Sequence, residues 1–151
     1  DVIQLPQVRL FNEDHITEHS LEVQLPFLQM VLDHFTLIPL IVGETDADDV
    51  AKVLDRLWGD DETIVIISSD LSHYHHHTTA RKIDHATSEA ILQLQPNALT
   101  EEGACGYHPI CGLLHAAQQR NMKARLLDLR TSADTAGSKD QVVGYGSFAF
   151  N

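Results

Sequence analysis

The ten residues "SSDLSHYHHH" (68–77) hold four histidines, with Asp70 three positions ahead of His73 and a serine pair in front. An imidazole exchanges protons near neutral pH, and a carboxylate beside it fixes its tautomer. Asp70 and His73 are therefore candidates for an acid–base pair. The plainer alternative is a polar loop in which Asp70 caps a helix and the rings are solvated. His73 and His77 stand four apart, a spacing that on a helix can grip a metal, as in the H-E-x-x-H pattern. No glutamate fills the second place of that pattern, and three adjacent rings cannot all face one ion. His75, His76 and His77 are accordingly read as incidental to the chemistry.

A second group is "GACGYHPICG" (103–112). Cys105 precedes a helix that Pro109 is suited to begin, and free amides at a helix start favour the thiolate, the form that attacks carbon or binds metal. His108 belongs to the same turn. The alternative is a small cysteine filling space beside two glycines. Cys111 falls inside the helix and reads as core. In a third group, "EHSLE" (18–22), Glu18, His19 and Glu22 open a helix, either as a carboxylate–imidazole pair or as plain caps.

The elements that must position these groups follow from hydrophobic spacing. "TIVIISS" (63–69) reads as a strand buried on both faces, and the His-rich stretch leaves its carboxyl end, where ligands gather in open α/β sheets. "FTLIPLIVG" (35–43) reads as another, with Pro39 marking an irregular or edge position. Helices are expected over about 18–34 (Leu21, Leu25, Leu28 and Leu32, with Pro26 a kink or restart), 46–59 (Val50, Val53, Leu54 and Leu57, stopped by Gly59), about 79–94 (Ile83, Ala86, Ala90 and Leu94) and from Pro109 to about Asn121. "KARLLDLR" (123–130) and "QVVGYGSFAF" (141–150) read as strands joined by a polar loop, and residues 1–16 as an extended surface run. This alternation predicts an α/β fold, a mostly parallel sheet flanked by helices, in one domain over 1–151. Only four strands can be counted, few for such a sheet, so the domain is expected to be incomplete.

Composition narrows the function classes. The chain has 151 residues, 43% hydrophobic and 21% charged, with a formal net charge of −12. That acidity, with no basic cluster, argues against a nucleic-acid partner. No apolar stretch approaches the roughly 18 residues needed to cross a bilayer, and no signal peptide is visible, so no membrane partner is expected. Two cysteines six positions apart do not make a disulfide scaffold. Reduced thiols and a cytoplasmic location are the expectation.

Taken in order, "EHSLEVQLPFLQ" (18–29), "LIPLIVG" (37–43), "IISSDLSHY" (66–74), "CGYHPICGLL" (105–114) and "VGYGSFAF" (143–150) resemble the Memo family, which includes the AmmeMemoRadiSam system protein B. The matching stretches span nearly the whole chain. The family in turn resembles the class III extradiol dioxygenases, non-haem iron enzymes. The resemblance implies a metal site for iron or copper built from two His and one Cys, with Cys105 as the thiolate ligand and His73 as the acid–base group. It places His19, Asp70 and His108 on pocket motifs, with Asp70 orienting His73. The family's two ligand histidines lie in A-P-H-A-G and G-x-S-H motifs, and neither occurs in these 151 residues. The chain thus resembles the C-terminal portion of a Memo-like protein.

Three functions are carried forward from the sequence. The first is metal-dependent redox activity on a small molecule. The second is a non-catalytic module that binds a peptide or protein. The third is hydrolysis through a zinc-bound water, suggested by the His/Cys mixture. Sheet edges left open by a missing portion favour pairing with another chain, and so self-association.

Overall fold

The computed structural model describes residues 2–11 and 18–151. Within them lie four helices, α1 (Leu25–Val31), α2 (Ala47–Leu57), α3 (His77–Leu92) and α4 (Tyr107–Gln119), and three strands, β1 (His73–His75), β2 (Ala124–Thr131) and β3 (Val142–Phe150). The extended run expected over 1–16 begins instead with a short 3-10 turn, Val2–Gln4, and its 12–16 portion lies outside the described residues.

The helices at the sequence's clearest signals form where expected. α2 carries Asp48 and Asp49 in its first turn and Arg56 in its last, each sign matched to the helix dipole. It turns Val50, Ala51 and Leu54 inward. α4 is the central helix, burying Ile110, Cys111, Gly112, Leu113, Leu114, Ala116 and Ala117. It lies close to α2 because Gly112 has no side chain, and an added Cβ there would run into Val50. One apolar cluster (Val50, Ala51, Leu54, Leu113, Ala116) fills the α2–α4 seam. A second (Leu71, Ala90, Ile91, Leu99, Ala104, Ile110, Leu114) joins α3 and α4 and receives Leu129, Phe148 and Phe150 from the sheet.

Several expectations need correction. The sheet is antiparallel rather than mostly parallel: among the described residues its order is β1-β3-β2, and both pairings run antiparallel. The two apolar runs expected as parallel core strands, 35–43 and 63–69, have no ladder partner among the described residues. Val42, Val65 and Ile67 do pack against the core. Leu37, Ile38, Ile41, Ile64 and Ile66 remain exposed. A strand needs a neighbour for its backbone N–H and C=O groups, and apolar spacing alone does not supply one.

The first helix is shorter than 18–34. Pro26 stands in its opening turn, where a missing N–H costs nothing, and irregular turns occupy 20–24. Of the stripe expected on α3, Ala90 is buried and Leu94 packs against the core, while Ile83 is half-buried and Ala86 is exposed. The buried face also takes in Ala80, Asp84, Thr87, Ser88 and Ile91, and apolar counting passes over its polar members.

Candidate functional site

Leu71 and Ser72 bind the chain into the edge of the sheet just before β1: the Leu71 N–H donates to the Gly144 carbonyl (2.9 Å), and the Gly144 N–H donates to the Ser72 carbonyl (2.8 Å). β1 is only three residues long, and its register against β3 slips between His73 and His75. Tyr74, between them, has φ +60, a left-handed conformation uncommon for a residue with a Cβ. Such bulges re-aim side chains next to functional sites. Here Tyr74 stands exposed, and the His73 Nε2 lies 3.5 Å from the Asp70 Oδ2.

Cys105 arrives from the other side of the chain's span. Its Sγ accepts the Asp70 N–H at 3.2 Å and lies 3.5 Å from the Ser69 Oγ. The donors around the sulfur therefore come from the 68–70 turn, and not from the amides that open α4, as the sequence had led us to expect. The Gly106 N–H is itself taken by the Ser69 Oγ at 2.8 Å. This close approach needs a glycine: a Cβ on Gly106 would stand 2.7 Å from the Ser69 Cβ. Ser69 also donates to the Asp70 carbonyl at 2.6 Å. Asp70, His73 and Cys105 thus meet at one place, and that place is open to solvent. The His73 and Asp70 side chains are 32% and 48% exposed, and Cys105 is exposed.

The other expected site residues lie apart from this trio. His19 is exposed in the turn before α1, where Glu18 Oε1 accepts the amides of His19 (2.9 Å) and Ser20 (2.8 Å). Those hydrogen bonds, chiefly the Ser20 amide, hold the Glu18 carboxyl below its ordinary range, which is the behaviour of a cap. The turn is tied toward the trio by the Gln24 Nε2, which donates to the Ser68 Oγ at 3.0 Å. His108 places its Nδ1 2.8 Å from the Thr45 carbonyl and lines an open cleft of about 990 Å³ between α2 and α4, together with Asp48, Tyr107, Cys111 and His115. Among the described residues, no hydrogen bond or ion pair joins His19 or His108 to Asp70, His73 or Cys105. Cys111 is buried as expected, and desolvation pushes its thiol up.

The three remaining histidines of the run are more than solvated surface. Their rings diverge to three separate partners. His75 pairs with Glu102 (3.2 Å) and His77 approaches Asp134 (3.7 Å). The His76 Nδ1 accepts the Thr78 N–H (3.4 Å) and caps α3. Of the three, His76 makes the cap, whereas the His77 Nε2 is buried without a hydrogen-bond partner among the described residues. Sequence reasoning also missed Ser69 and Gln24. The serine doublet was the only signal for the first, and a glutamine in a helical run gave none for the second.

A metal site needs several donors on one point. Among the described residues, no group of three or more His, Cys, Asp or Glu side chains could hold an ion. Cys105 is the one ligand the family resemblance supplies here, and its neighbours Asp70 and His73 are engaged with each other. Among the described residues, this donor set does not fit a resident iron or copper. Among the described residues no helix is long and apolar enough to cross a membrane.

The chain belongs to the Memo-like protein family, whose model matches residues 4–149. It is 39% identical to a MEMO1 family protein of Saccharolobus solfataricus over 95% of this chain and 55% of that protein. Against MEMO1 family proteins of Archaeoglobus fulgidus and Sulfurisphaera tokodaii it is 35% and 37% identical, each over 90% of this chain and 56% and 52% of theirs. The chain spans about half the length of the curated relatives it matches.

Proposed function

We propose that this chain supplies the acid–base and thiol side of a small-molecule pocket in a Memo-like protein that carries out redox chemistry. The observation that supports this is the meeting of two segments 35 residues apart, with the Asp70 N–H on the Cys105 Sγ and the Asp70 carboxylate beside the His73 Nε2. In this reading His73 takes or gives the proton of a bound ligand, Asp70 holds the ring in the tautomer with hydrogen on Nε2, and Cys105 offers its sulfur to the ligand side. His19 and His108 serve as outlying pocket residues. Dependence on iron or copper, or zinc-assisted hydrolysis, requires ligands beyond the described set.

The test is oxygen uptake and dye reduction with a panel of small phenolic and thiol substrates, with and without added Fe(II) or Cu(II). We expect activity that falls at least tenfold in His73→Ala and in Cys105→Ser. Activity indifferent to both substitutions would remove the trio from the chemistry.

A second reading, a non-catalytic module that binds a polypeptide, is favoured by one observation. Phe27, Met30, Val31, Ile38 and Ile64 are each 59–85% exposed, many large apolar side chains left to solvent outside the two core clusters. Under this reading that surface receives an apolar polypeptide segment, whether from the rest of a family-length protein or from a second copy. Light scattering across a concentration series separates the two sources: a second copy gives a concentration-dependent dimer that Ile64→Glu abolishes.

A further inference from the structure

We infer that Asp84, in the middle of α3 and away from the solvent-facing trio, is the positioning residue that holds His73 in place against Asp70. The inference rests on the Asp70–His73 pair of the proposed function and adds a residue to it.

Asp84 is 1% exposed, and its Oδ1 accepts the N–H of Ser72, the residue before His73, at 3.0 Å. Successive amides of this short stretch are each held by a different part of the fold. Asp70 donates to Cys105, Leu71 to the Gly144 carbonyl, and Ser72 to Asp84. β1 cannot fix His73 by its ladder alone, because it has three residues, a register slip and a left-handed Tyr74. The carboxylate supplies the anchor that the ladder lacks, one residue from the ring.

The surroundings are shaped to this carboxylate. Gly144 packs directly on it, and a Cβ there would collide with the Asp84 carboxyl carbon and both its oxygens. Asp84 Oδ2 and Ser72 Oγ are both buried without a hydrogen-bond partner among the described residues. Keeping a carboxylate in so enclosed a place is costly, since a buried polar group without its full set of hydrogen bonds forfeits solvation. An apolar residue of similar size would avoid that cost but would orphan the Ser72 N–H. The carboxylate therefore serves the Ser72 N–H rather than packing alone.

The test follows the His73 ring directly, by the ring-nitrogen 15N shifts that report its tautomer, recorded at one pH in the whole chain, with a thermal melt of each variant. Asp70→Asn gives the reference spectrum for a broken pair. Asp84→Asn keeps an oxygen for Ser72, and its spectrum is expected to overlay the wild type. Asp84→Leu removes that oxygen, and its spectrum is expected to move onto that of Asp70→Asn. Should Asp84→Leu not fold, Gly144→Ala displaces the carboxylate without deleting it and is expected to change the spectrum the same way. A merely stabilising Asp84 would lower the melting temperature in the leucine or alanine variant and leave the His73 ring shifts on the wild type, which overturns the inference. An Asn spectrum that follows the Leu spectrum also overturns it. If wild type and Asp70→Asn coincide, Asp70 does not set the His73 tautomer, and the proposed function falls together with this inference.

Discussion

Two regions of this chain handle similar apolar material in opposite ways. From Leu71 to the end of β3, buried side chains gather in one apolar cluster that joins α3, α4 and the sheet, the backbone is tied into helices and an antiparallel ladder, and even a carboxylate is enclosed. From α1 through 45, and again over 60–67, apolar residues are as frequent, yet α1 buries none of its own and Ile64 is 72% exposed. The difference is not hydrophobicity. The first region has backbone partners for its extended segments, and the second has none among the described residues. Apolar content drives burial, but hydrogen-bond partners decide whether an extended run becomes a strand.

Substitutions in the two regions should therefore differ sharply. Leu114 is wholly buried in the cluster that joins α3 and α4. Leu114→Ala is expected to cost about 2–5 kcal/mol, the range for cavity-forming changes of this kind. Denaturant titration measures it, and a cost below about 1 kcal/mol would mean that this cluster is loosely packed. The next largest effect is expected at the glycine where α2 and α4 touch. Gly112→Ala pushes a methyl into Val50 and should cost about 1–3 kcal/mol, as overpacking does. Pairing it with Val50→Ala, which clears that space, should make the two changes non-additive.

A smaller effect comes from the turn after β2. The Thr131 amide and hydroxyl both donate to Asp134 Oδ2, at 2.7 and 2.9 Å. The backbone bond first, then the hydroxyl, holds the Asp134 carboxyl below the ordinary aspartate range. A carboxylate whose folded pKa is depressed contributes stability that is fully present above its unfolded value and is lost as pH falls through the folded one. As the pH falls below about 4 the wild type should therefore lose more stability than Asp134→Asn. Melts at half-unit pH steps would show it, and parallel curves would remove Asp134 from the acid response.

The smallest effect is expected in the exposed region. Ile64→Ala should change the unfolding midpoint by no more than about 0.5 kcal/mol, as for other surface substitutions. A loss comparable to that of Leu114→Ala would show that Ile64 is covered in solution and would erase the contrast between the regions.

Much of this was legible in the residues themselves. Three of the helices and the two long strands sit where spacing and caps put them, because those signals are local: Asp48 and Asp49 at the start of α2, Pro109 in the first turn of α4, and alternating apolar residues in β3. The candidate chemistry was visible in the same way. Asp70 and His73 are three residues apart, so their meeting needed only a turn. Asp84 was not legible, because a charged residue in a helix ordinarily marks the solvent side, and nothing in its neighbours announced a buried amide to be met. The strand assignment at 35–43 failed for the complementary reason: its apolar run is a local fact, whereas pairing depends on a distant segment.

By itself, the sequence determined which residues can do chemistry and which stretches coil or extend, since backbone propensity and side-chain period act over a few neighbours. Only the tertiary structure decided that the Cys105 sulfur meets the Asp70 amide, that His108 turns instead to the cleft beside α2, and that the sheet runs antiparallel. Those outcomes depend on hydrogen bonds and close approaches between segments tens of residues apart. Gly106 against Ser69 and Gly144 against Asp84 are the two contacts on which the site turns, and each is a matter of a missing Cβ at the right place in space.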